Sequence, residues 1–292
     1  MQYDLMIVGP ATRDRNTDYT GAEEYIVGGA VTYCTPAAMA AGARVFAAVK
    51  ANGADRDVLD AFHMDGADMA LLPSAATTLM SNKYFTPDRE RRQCGCQAQS
   101  DPVTLEEIPD VPCKLYHLAG LLYGDFPNSL IEGLHGRGMV SADAQGFLRH
   151  NEGGELRFHD WADKMRYLPY MDFFKTDAAE AEILTGLTDR AAAAKQLYAW
   201  GAKEVMVSHN TEIMVYDGSQ VHTCPIKARN LTGRTGRGDT TFGSYLAMRM
   251  LGADAAQALL YATACVSLKM ETPGPFRGTR ADVEDYIRQF YA

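Results

Sequence analysis

The stretch "LTGRTGRGDTTFGSYLAMRM", residues 231 to 250, places four glycines around one acidic residue, Asp239. Apolar or small residues then recur at positions 242, 246 and 250 and at 243, 247 and 251, which is the spacing of one packed helix face. We therefore predict a flexible loop followed by a helix that begins between Gly238 and Thr240. The unpaired amides of its first turn would form a cradle for phosphate, because Gly236 and Gly238 carry no side chains.

The carboxylate beside this cradle has two interpretations. Asp is among the preferred residues at a helix N-cap, and Asp239 could serve there. It could equally be a general base that takes the proton from a hydroxyl whose oxygen attacks a phosphoryl group. The residue types alone favour neither role over the other, and one side chain could serve both. Two familiar loops are excluded, because the glycine order is not G-x-G-x-x-G and no Lys follows as in a P-loop.

Short apolar runs alternate with helical patterns along the chain, and these elements must position the loop. Strand-like runs include "YDLMIVG", "RVFAAVK", "KLYHLAG", "GMVSADA", "MDFFKT" and "KEVMVSH". Helices are predicted at about 178–185, 189–200, 240–251, 254–269 and 280–290. This alternation predicts an α/β fold with a mainly parallel sheet, helices on both faces, and ligands at the carboxyl ends of the strands.

Two polar, strand-like segments interrupt the alternation, at about 14–27 and 77–98. We expect them to pair as a small antiparallel lid beside the main sheet, within one domain that spans residues 1–292. The sequence "IMVYDGSQVHTC" predicts a hairpin in which Asp217 and Gly218 form a tight two-residue turn.

Composition excludes several classes of protein. The chain has 292 residues, a formal net charge of −9 and no Lys/Arg-rich stripe, so nucleic acid is not expected as a partner. No run approaches about 18 consecutive apolar residues and the N-terminus resembles a first strand, so we expect a cytoplasmic protein with no membrane span. The six cysteines are scattered and predict free thiols; Cys94 and Cys96 form a C-x-C pair without the second pair that a zinc site needs.

The loop around Asp239 resembles the C-terminal signature of the PfkB (ribokinase-like) family of carbohydrate kinases, D-T-x-G-A-G-D. The matching residues are Gly236, Arg237, Gly238 and Asp239. The resemblance implies that this loop is the anion hole and that Asp239 is the catalytic base. Arg237 replaces the family's Ala; it could add positive charge for phosphate, or be a solvated loop residue.

Further motifs of the family follow in the expected order. "IVGPATRD" resembles its first strand, which ends in an Asp that binds substrate hydroxyls, and this implies that role for Asp14. "VGGAVTYCTPAAMAAG" resembles the N-terminal signature, which implies that Gly28 and Gly29 line the substrate site. Tyr33 stands where the family has Asn, and its flat ring suits a ring substrate, although a packed aromatic is the commoner role.

The segment "FKTDAAEAEILTG" resembles the family's N-x-x-E motif, which organises Mg²⁺ and phosphate through water. Asp177 replaces the Asn and Glu180 matches; both could instead be the acidic first turn of a helix. The signature also departs at Gly233 and Arg234, which replace its first Asp and Thr. The nucleotide-side strand end is reduced to "SHNTEI".

The resemblance implies a three-layer αβα sandwich with a lid, and an ATP- and Mg²⁺-dependent kinase that phosphorylates a small polyhydroxylated substrate. It also implies a homodimer through the lid. Sugars are typical acceptors, while the "RD" after the first strand and the "GGAxxY" pattern favour an inositol-type kinase, and nucleoside kinases also occur. Arg89, Arg91 and Arg92 could meet an acidic substrate or form a solvated loop. The motif departures leave open a catalytically silent metabolite-binding regulator, whereas Pro10 after Gly9 argues against a dinucleotide-binding oxidoreductase.

Overall fold

Two β-sheets organise the chain in the computed structural model, which describes residues 2–62, 64, 66–86 and 91–291. Elements are numbered in chain order. The central sheet contains nine strands: β1 (Tyr3–Pro10), β4 (Val45–Asn52), β5 (Met69–Ser74), β8 (Cys113–Leu118), β9 (Met139–Asp143), β12 (Phe173–Asp177), β13 (Val205–Ser208), β14 (Glu212–Tyr216) and β15 (Val221–Pro225). The second sheet contains six: β2 (Thr12–Thr17), β3 (Glu23–Gly28), β6 (Thr78–Tyr84), β7 (Arg92–Ala98), β10 (Arg149–Glu152) and β11 (Glu155–Phe158).

Helices lie between many of these strands, and three more follow the last strand. They are α1 (Ala30–Ala40), α2 (Asp57–Asp60), α3 (Asn128–His135), α4 (Gln145–Leu148), α5 (Lys164–Tyr167), α6 (Ala178–Thr185), α7 (Arg190–Ala199), α8 (Arg237–Met250), α9 (Ala255–Lys269) and α10 (Arg280–Phe290). No helix in the described ranges has the length and apolar character to cross a bilayer.

Strand β1 shows why the central sheet is covered on both faces. Its residues Leu5, Met6, Ile7 and Val8 are all fully buried, as expected for a parallel strand with helices on either side. Leu5 and Ile7 pack in one core with residues of α1, α8, α9 and α10, whereas Met6 and Val8 pack in another with residues of α3, α6 and α7. The predicted three-layer αβα sandwich is therefore confirmed.

The strand order of the central sheet is β15-β14-β13-β12-β9-β8-β1-β4-β5. Pairing is parallel from β13 across to β5 and antiparallel only for β14 and β15 at one edge. The β14–β15 hairpin exists, but its turn lies one residue later than predicted. Asp217 N donates to Gln220 O at 3.3 Å, so Gly218 and Ser219 are the central residues, and Gly218 supplies the positive φ of 92°.

The second sheet has the order β10-β11-β7-β6-β2-β3 and contains strands from both predicted lid segments. It differs from the expected antiparallel lid in two respects. Strand β2 pairs with β6 in parallel, and the β10–β11 hairpin adds two strands that the sequence did not predict. The chain leaves the central sheet at Pro10 and enters the second sheet at Thr12, so Asp14 lies on β2 and not at the end of β1.

Candidate active site

A cavity of about 790 Å³ lies between the second sheet and the carboxyl ends of β9, β12 and β13. This is the edge at which a parallel sheet is expected to bind ligands. The cavity is lined by nearly every residue that the sequence singled out: Asp14, Gly29, Tyr33, Asp177, Glu180, Gly236, Arg237, Gly238 and Asp239. Residues from four separate stretches of sequence therefore meet in one place.

Gly28 is the exception, because it does not line the cavity. A Cβ at this position would lie 2.6 Å from Asp14 Oδ2, so the glycine makes room for that carboxylate. Gly29 is the N-cap of α1 with φ +98°, and a Cβ there would lie 2.4 Å from the Pro10 carbonyl oxygen. Both glycines were predicted to line the substrate site; in the structure Gly29 lines the cavity, whereas Gly28 packs against the Asp14 carboxylate.

Asp14 and Tyr33 lie where the second sheet and α1 face the cavity. Asp14 is 8% exposed and accepts a hydrogen bond of 2.5 Å from Thr12 Oγ1. Burial raises the pKa of Asp14 above its ordinary value. Tyr33 is 3% exposed and its ring lies where a Cβ at Gly236 would come within 2.1 Å. The tyrosine is therefore both a packed aromatic and part of the cavity wall.

Helix α8 begins at Arg237, earlier than the sequence predicted, and Gly236 is its N-cap with φ +72°. No side chain caps the helix, and Asp239 is already its third residue. The N-cap interpretation of Asp239 is therefore wrong, because a glycine that tolerates positive φ starts the helix three residues before it. The first turn of α8 leaves backbone amides without intrahelical partners, and residues 236–239 all line the cavity. These amides are the predicted anion cradle.

The environment of Asp239 changes its basicity. Burial and the neighbouring Asp143 raise the pKa of Asp239 to about 6, against the attraction of Lys175, Arg149 and Lys269. A carboxylate with this pKa is largely ionised at neutral pH, yet it accepts a proton more readily than an ordinary aspartate. That is the property expected of a general base.

Lys175 and Asp143 form an ion pair inside the site that sequence reasoning missed. Lys175 Nζ donates to Asp143 Oδ2 at 2.5 Å, and both side chains line the cavity although they are almost fully buried. Although burial opposes it, the attraction of Asp143 and other carboxylates holds the pKa of Lys175 above its usual range. The available signal was a charged residue within each of the buried strands "FFKTD" and "MVSAD".

Arg149 was also missed. It lies at the start of β10, where its Nε donates to the Leu121 carbonyl at 2.9 Å. Its Nη2 is buried without a hydrogen-bond partner among the described residues, and the side chain lines the cavity. A buried donor without a partner is costly unless a ligand supplies a hydrogen-bond acceptor for it.

Three further arginines line the cavity: Arg92, Arg234 and Arg237. The cavity wall is therefore rich in donors that suit phosphate oxygens. Of the arginine run noted in the sequence, Arg92 reaches the cavity, Arg91 is exposed, and Arg89 lies outside the described residues.

Asp177 and Glu180 form a capping box at the start of α6. Asp177 Oδ1 accepts from the Glu180 amide at 2.8 Å, and Glu180 Oε2 accepts from the Asp177 amide at 2.8 Å. One oxygen of each carboxylate remains, and burial together with Asp143 raises the pKa of Glu180. No group of three or more His, Cys, Asp or Glu in the described part of the chain could hold a metal alone, and Cys94 and Cys96 are free thiols. Mg²⁺ usually keeps several water ligands, so it could be held by Asp177 and Glu180 through water, next to the phosphates of a donor.

Comparisons with known proteins agree with this fold. A family model described as "pfkB family carbohydrate kinase" matches residues 149–280. A pyrophosphate-dependent kinase in the ribokinase family, solved with a pyrophosphate analog and myo-inositol, is 30% identical with a TM-score of 0.86, covering 96% of this chain and 99% of that one. The chain belongs to the ribokinase-like pfkB family of carbohydrate kinases, which are phosphotransferases with hydroxyl acceptors.

Two further relatives extend the comparison. The structure describing conversion of a pyrophosphate-dependent myo-inositol-1 kinase into a myo-inositol-3 kinase is 29% identical with a TM-score of 0.85, covering 99% of this chain and 100% of that one. A cytidine kinase from Thermococcus kodakarensis is 39% identical over 71 residues, which is 23% of this chain. That match spans only 26% of the cytidine kinase's own length.

Proposed function

We propose that the chain transfers a phosphoryl group to a hydroxyl of a small cyclic polyol, with Asp239 as the general base. One observation carries this proposal: a carboxylate with a raised pKa lies in the first turn of α8, beside the amides of the glycine-rich helix start and in the same cavity as Asp14. The amides of residues 236–239 serve as the anion hole, and Arg237 at the first helical position adds charge to it.

The reaction needs one proton transfer and one exchange of P–O bonds. Asp239 takes the proton of the acceptor hydroxyl as that oxygen bonds to the terminal phosphorus of the donor. The bridging P–O bond breaks and its electron pair leaves with the remaining phosphate group of the donor. Asp239 then returns the proton to solvent. Charge on the transferred group is held by the amide cradle and by Lys175.

The acceptor side of the cavity favours a ring that carries several hydroxyls. Asp14 already accepts from Thr12 and keeps lone pairs for substrate hydroxyls, while Asn82 and Tyr84 of β6 add polar groups. The ring of Tyr33 offers a flat apolar surface opposite them. The 30%-identical relative was solved with myo-inositol, so we propose an inositol-type cyclitol as the acceptor class.

The family resemblance implies ATP as the phosphoryl donor, and inorganic pyrophosphate is a second candidate. Three observations favour pyrophosphate. Cationic side chains surround the cradle, among them Lys175, Arg149 and Arg237, whereas "SHNTEI" lacks the glycines of a nucleotide-binding strand end. The relative solved with myo-inositol is pyrophosphate-dependent. A compact donor with dense negative charge suits such a wall.

Asp177 and Glu180 would hold Mg²⁺ through water, using the carboxylate oxygens that the capping box leaves over. The ion would supply charge neutralisation to the donor phosphates.

We also propose that two copies associate through the second sheet, where Tyr25 and Phe158 are 63% and 46% exposed. Light scattering on the pure protein tests this, and a monomer at high concentration contradicts it.

A matrix of acceptors and donors tests the proposed function. Inositols, linear polyols, sugars and nucleosides are each combined with Mg-ATP or Mg-pyrophosphate, and phosphorylated product is measured by mass spectrometry. We expect turnover with a cyclitol and its loss in Asp239→Asn. Absence of product with every pair contradicts a kinase, and metabolite-induced thermal shifts without turnover would favour a binding-only regulator instead.

A further inference from the structure

Lys269, the last residue of α9, is buried beside the anion cradle. It is 1% exposed. Its Nζ donates to the Gly233 carbonyl at 2.5 Å and also to the Thr235 carbonyl, and it lies 5.2 Å from the centroid of the Tyr33 ring. No carboxylate of the described residues forms an ion pair with it. The ammonium is therefore held by two backbone oxygens and an aromatic face.

This environment is unusual among the buried lysines of the chain. Lys50, which is 2% exposed, pairs with Glu107 at 2.6 Å, and Lys175 pairs with Asp143. Burying an ammonium without a carboxylate is expensive. Burial lowers the pKa of Lys269 to about 8, even though the charge of Asp239 opposes this shift. Because this burial is unfavourable, we infer that the Lys269 ammonium has a role beyond packing.

The two carbonyls belong to the segment that leads into the cradle. The Gly233 amide donates to the Met270 carbonyl at 2.8 Å, and Thr232 Oγ1 donates to the Glu271 carbonyl at 2.7 Å. A Cβ at Gly233 would lie 1.8 Å from the Thr272 carbonyl oxygen, so the approach of the two backbones requires glycine. Residues 232–235 are thus fastened to the C-terminal end of α9.

The orientation of a carbonyl fixes the orientation of the next amide. In a planar trans peptide, the C=O of one residue and the N–H of the following residue point in opposite directions. When the Thr235 carbonyl points to Lys269, the Gly236 amide points away from the ammonium. Gly236 lines the cavity and begins the cradle. The ammonium therefore helps to set the direction of the first donor of the anion hole.

We propose that Lys269 is a positioning residue, an internal cation that holds residues 233–235 so that the following amides face the transferred phosphoryl group. Without it, the converging carbonyls of Gly233 and Thr235 would need an inorganic monovalent cation between them. The side chain makes such a cation unnecessary. This inference rests on the proposed phosphoryl transfer.

Wild-type protein gives the first test. Turnover is measured in tetramethylammonium buffer, with and without added K⁺ or Na⁺, at constant ionic strength. We expect the rate to change less than about twofold, because the site between the carbonyls is already filled. Activation by about tenfold or more with either ion overturns the proposal, whatever the variants do.

Variants give the second test. Lys269→Met is expected to lower kcat by about 10²-fold, the effect of disordering one preorganised element of an anion hole, while KM for the acceptor changes little. Lys269→Ala is expected to regain part of its activity with methylammonium or K⁺. Lys50→Met is the control, because it also removes a buried ammonium, but one that pairs with Glu107 and does not contact the segment leading into the cradle. Wild-type turnover in both Lys269 variants, or loss without rescue by either cation, overturns the proposal.

Donor binding separates this inference from the proposed function. Binding of pyrophosphate and of a nonhydrolysable ATP analogue is measured by calorimetry for wild type, Lys269→Met and Lys50→Met. If no acceptor is ever phosphorylated, the proposed function fails, and the binding data still test the role of Lys269. We expect affinity to fall about tenfold or more only in Lys269→Met, as a displaced cradle predicts. Equal affinities in the three proteins overturn the inference.

Discussion

The ammonium of Lys175 lies against the backbone of Gly238, held there by its 2.5 Å bond to Asp143. A Cβ at residue 238 would come within 3.0 Å of Lys175 Cε and 3.1 Å of its Nζ. The glycine in the middle of the cradle is therefore needed for the close approach of a cation to the helix start. A buried cation and the first-turn amides of α8 converge on one point, which is the position that we propose for a transferred phosphoryl group.

Gly238→Ala is expected to lower kcat by about tenfold or more while unfolding free energy falls by about 1 kcal/mol or less, because the methyl group displaces a flexible side chain and not backbone. Steady-state kinetics and thermal melting measure the two effects. Gly53→Ala is the control, since a Cβ there would meet nothing within 4 Å. A Gly238→Ala protein with wild-type kcat would show that Lys175 need not approach the cradle.

Asp239→Asn is expected to lower kcat by about 10²- to 10⁴-fold, or roughly 3 to 5 kcal/mol of barrier, since it removes the proton acceptor. The same change is expected to stabilise the fold at pH 8. A raised pKa means that the folded state binds the proton more tightly than the unfolded state, so stability declines as pH rises from about 4 to about 6 and the penalty persists above that range. Unfolding curves at pH 5 and pH 8 measure this difference. Unchanged kcat removes Asp239 from the role of base.

The pH dependence of kcat/KM for the acceptor is expected to be bell-shaped. The acid limb follows ionisation of Asp239, which has a pKa of about 6. Burial and Asp143 raise this pKa, and Lys175 and Arg149 lower it. The alkaline limb follows loss of the proton from Lys269, with a pKa of about 8. Activity therefore rises through pH 6 and falls through pH 8.

Lys269→Arg separates the two limbs of that profile. Arginine stays charged throughout the range, so the alkaline limb should move above about pH 9 while the acid limb remains. Rates are measured at saturating donor in buffers of constant ionic strength. An alkaline limb at the same pH in wild type and Lys269→Arg would assign that limb to another group.

Asp14→Ala is expected to raise KM for the acceptor by about 10- to 100-fold with a smaller effect on kcat, since a buried carboxylate that binds hydroxyls would be lost. Thr12→Val is the graded comparison, because it removes only the 2.5 Å hydrogen bond that orients this carboxylate. Its effect on KM should be smaller. Wild-type KM in Asp14→Ala excludes this residue from the acceptor site.

The sequence determined the central architecture and predicted the loop at the centre of the candidate site. Long apolar runs such as "LMIVG" specify strands buried on both faces, and the predicted helices lie within a few residues of their observed bounds. These signals are local, because side-chain burial repeats with the period of each element. The loop around Asp239 could likewise be predicted as a phosphate cradle, because glycines directly before a helical pattern are typical of anion-binding loops.

Tertiary structure alone decided how the site is completed. Lys175 and Asp143 are 32 residues apart in sequence, and Lys269 reaches carbonyls 36 and 34 residues before it. No periodicity predicts such contacts, which arise only when neighbouring strands and helix ends meet. The polar strands β10 and β11 gave no apolar alternation, and the positive φ of Gly236 moved the start of α8 away from Asp239. The sequence thus predicted a base at Asp239, and only packing over long separations showed which charges surround that carboxylate.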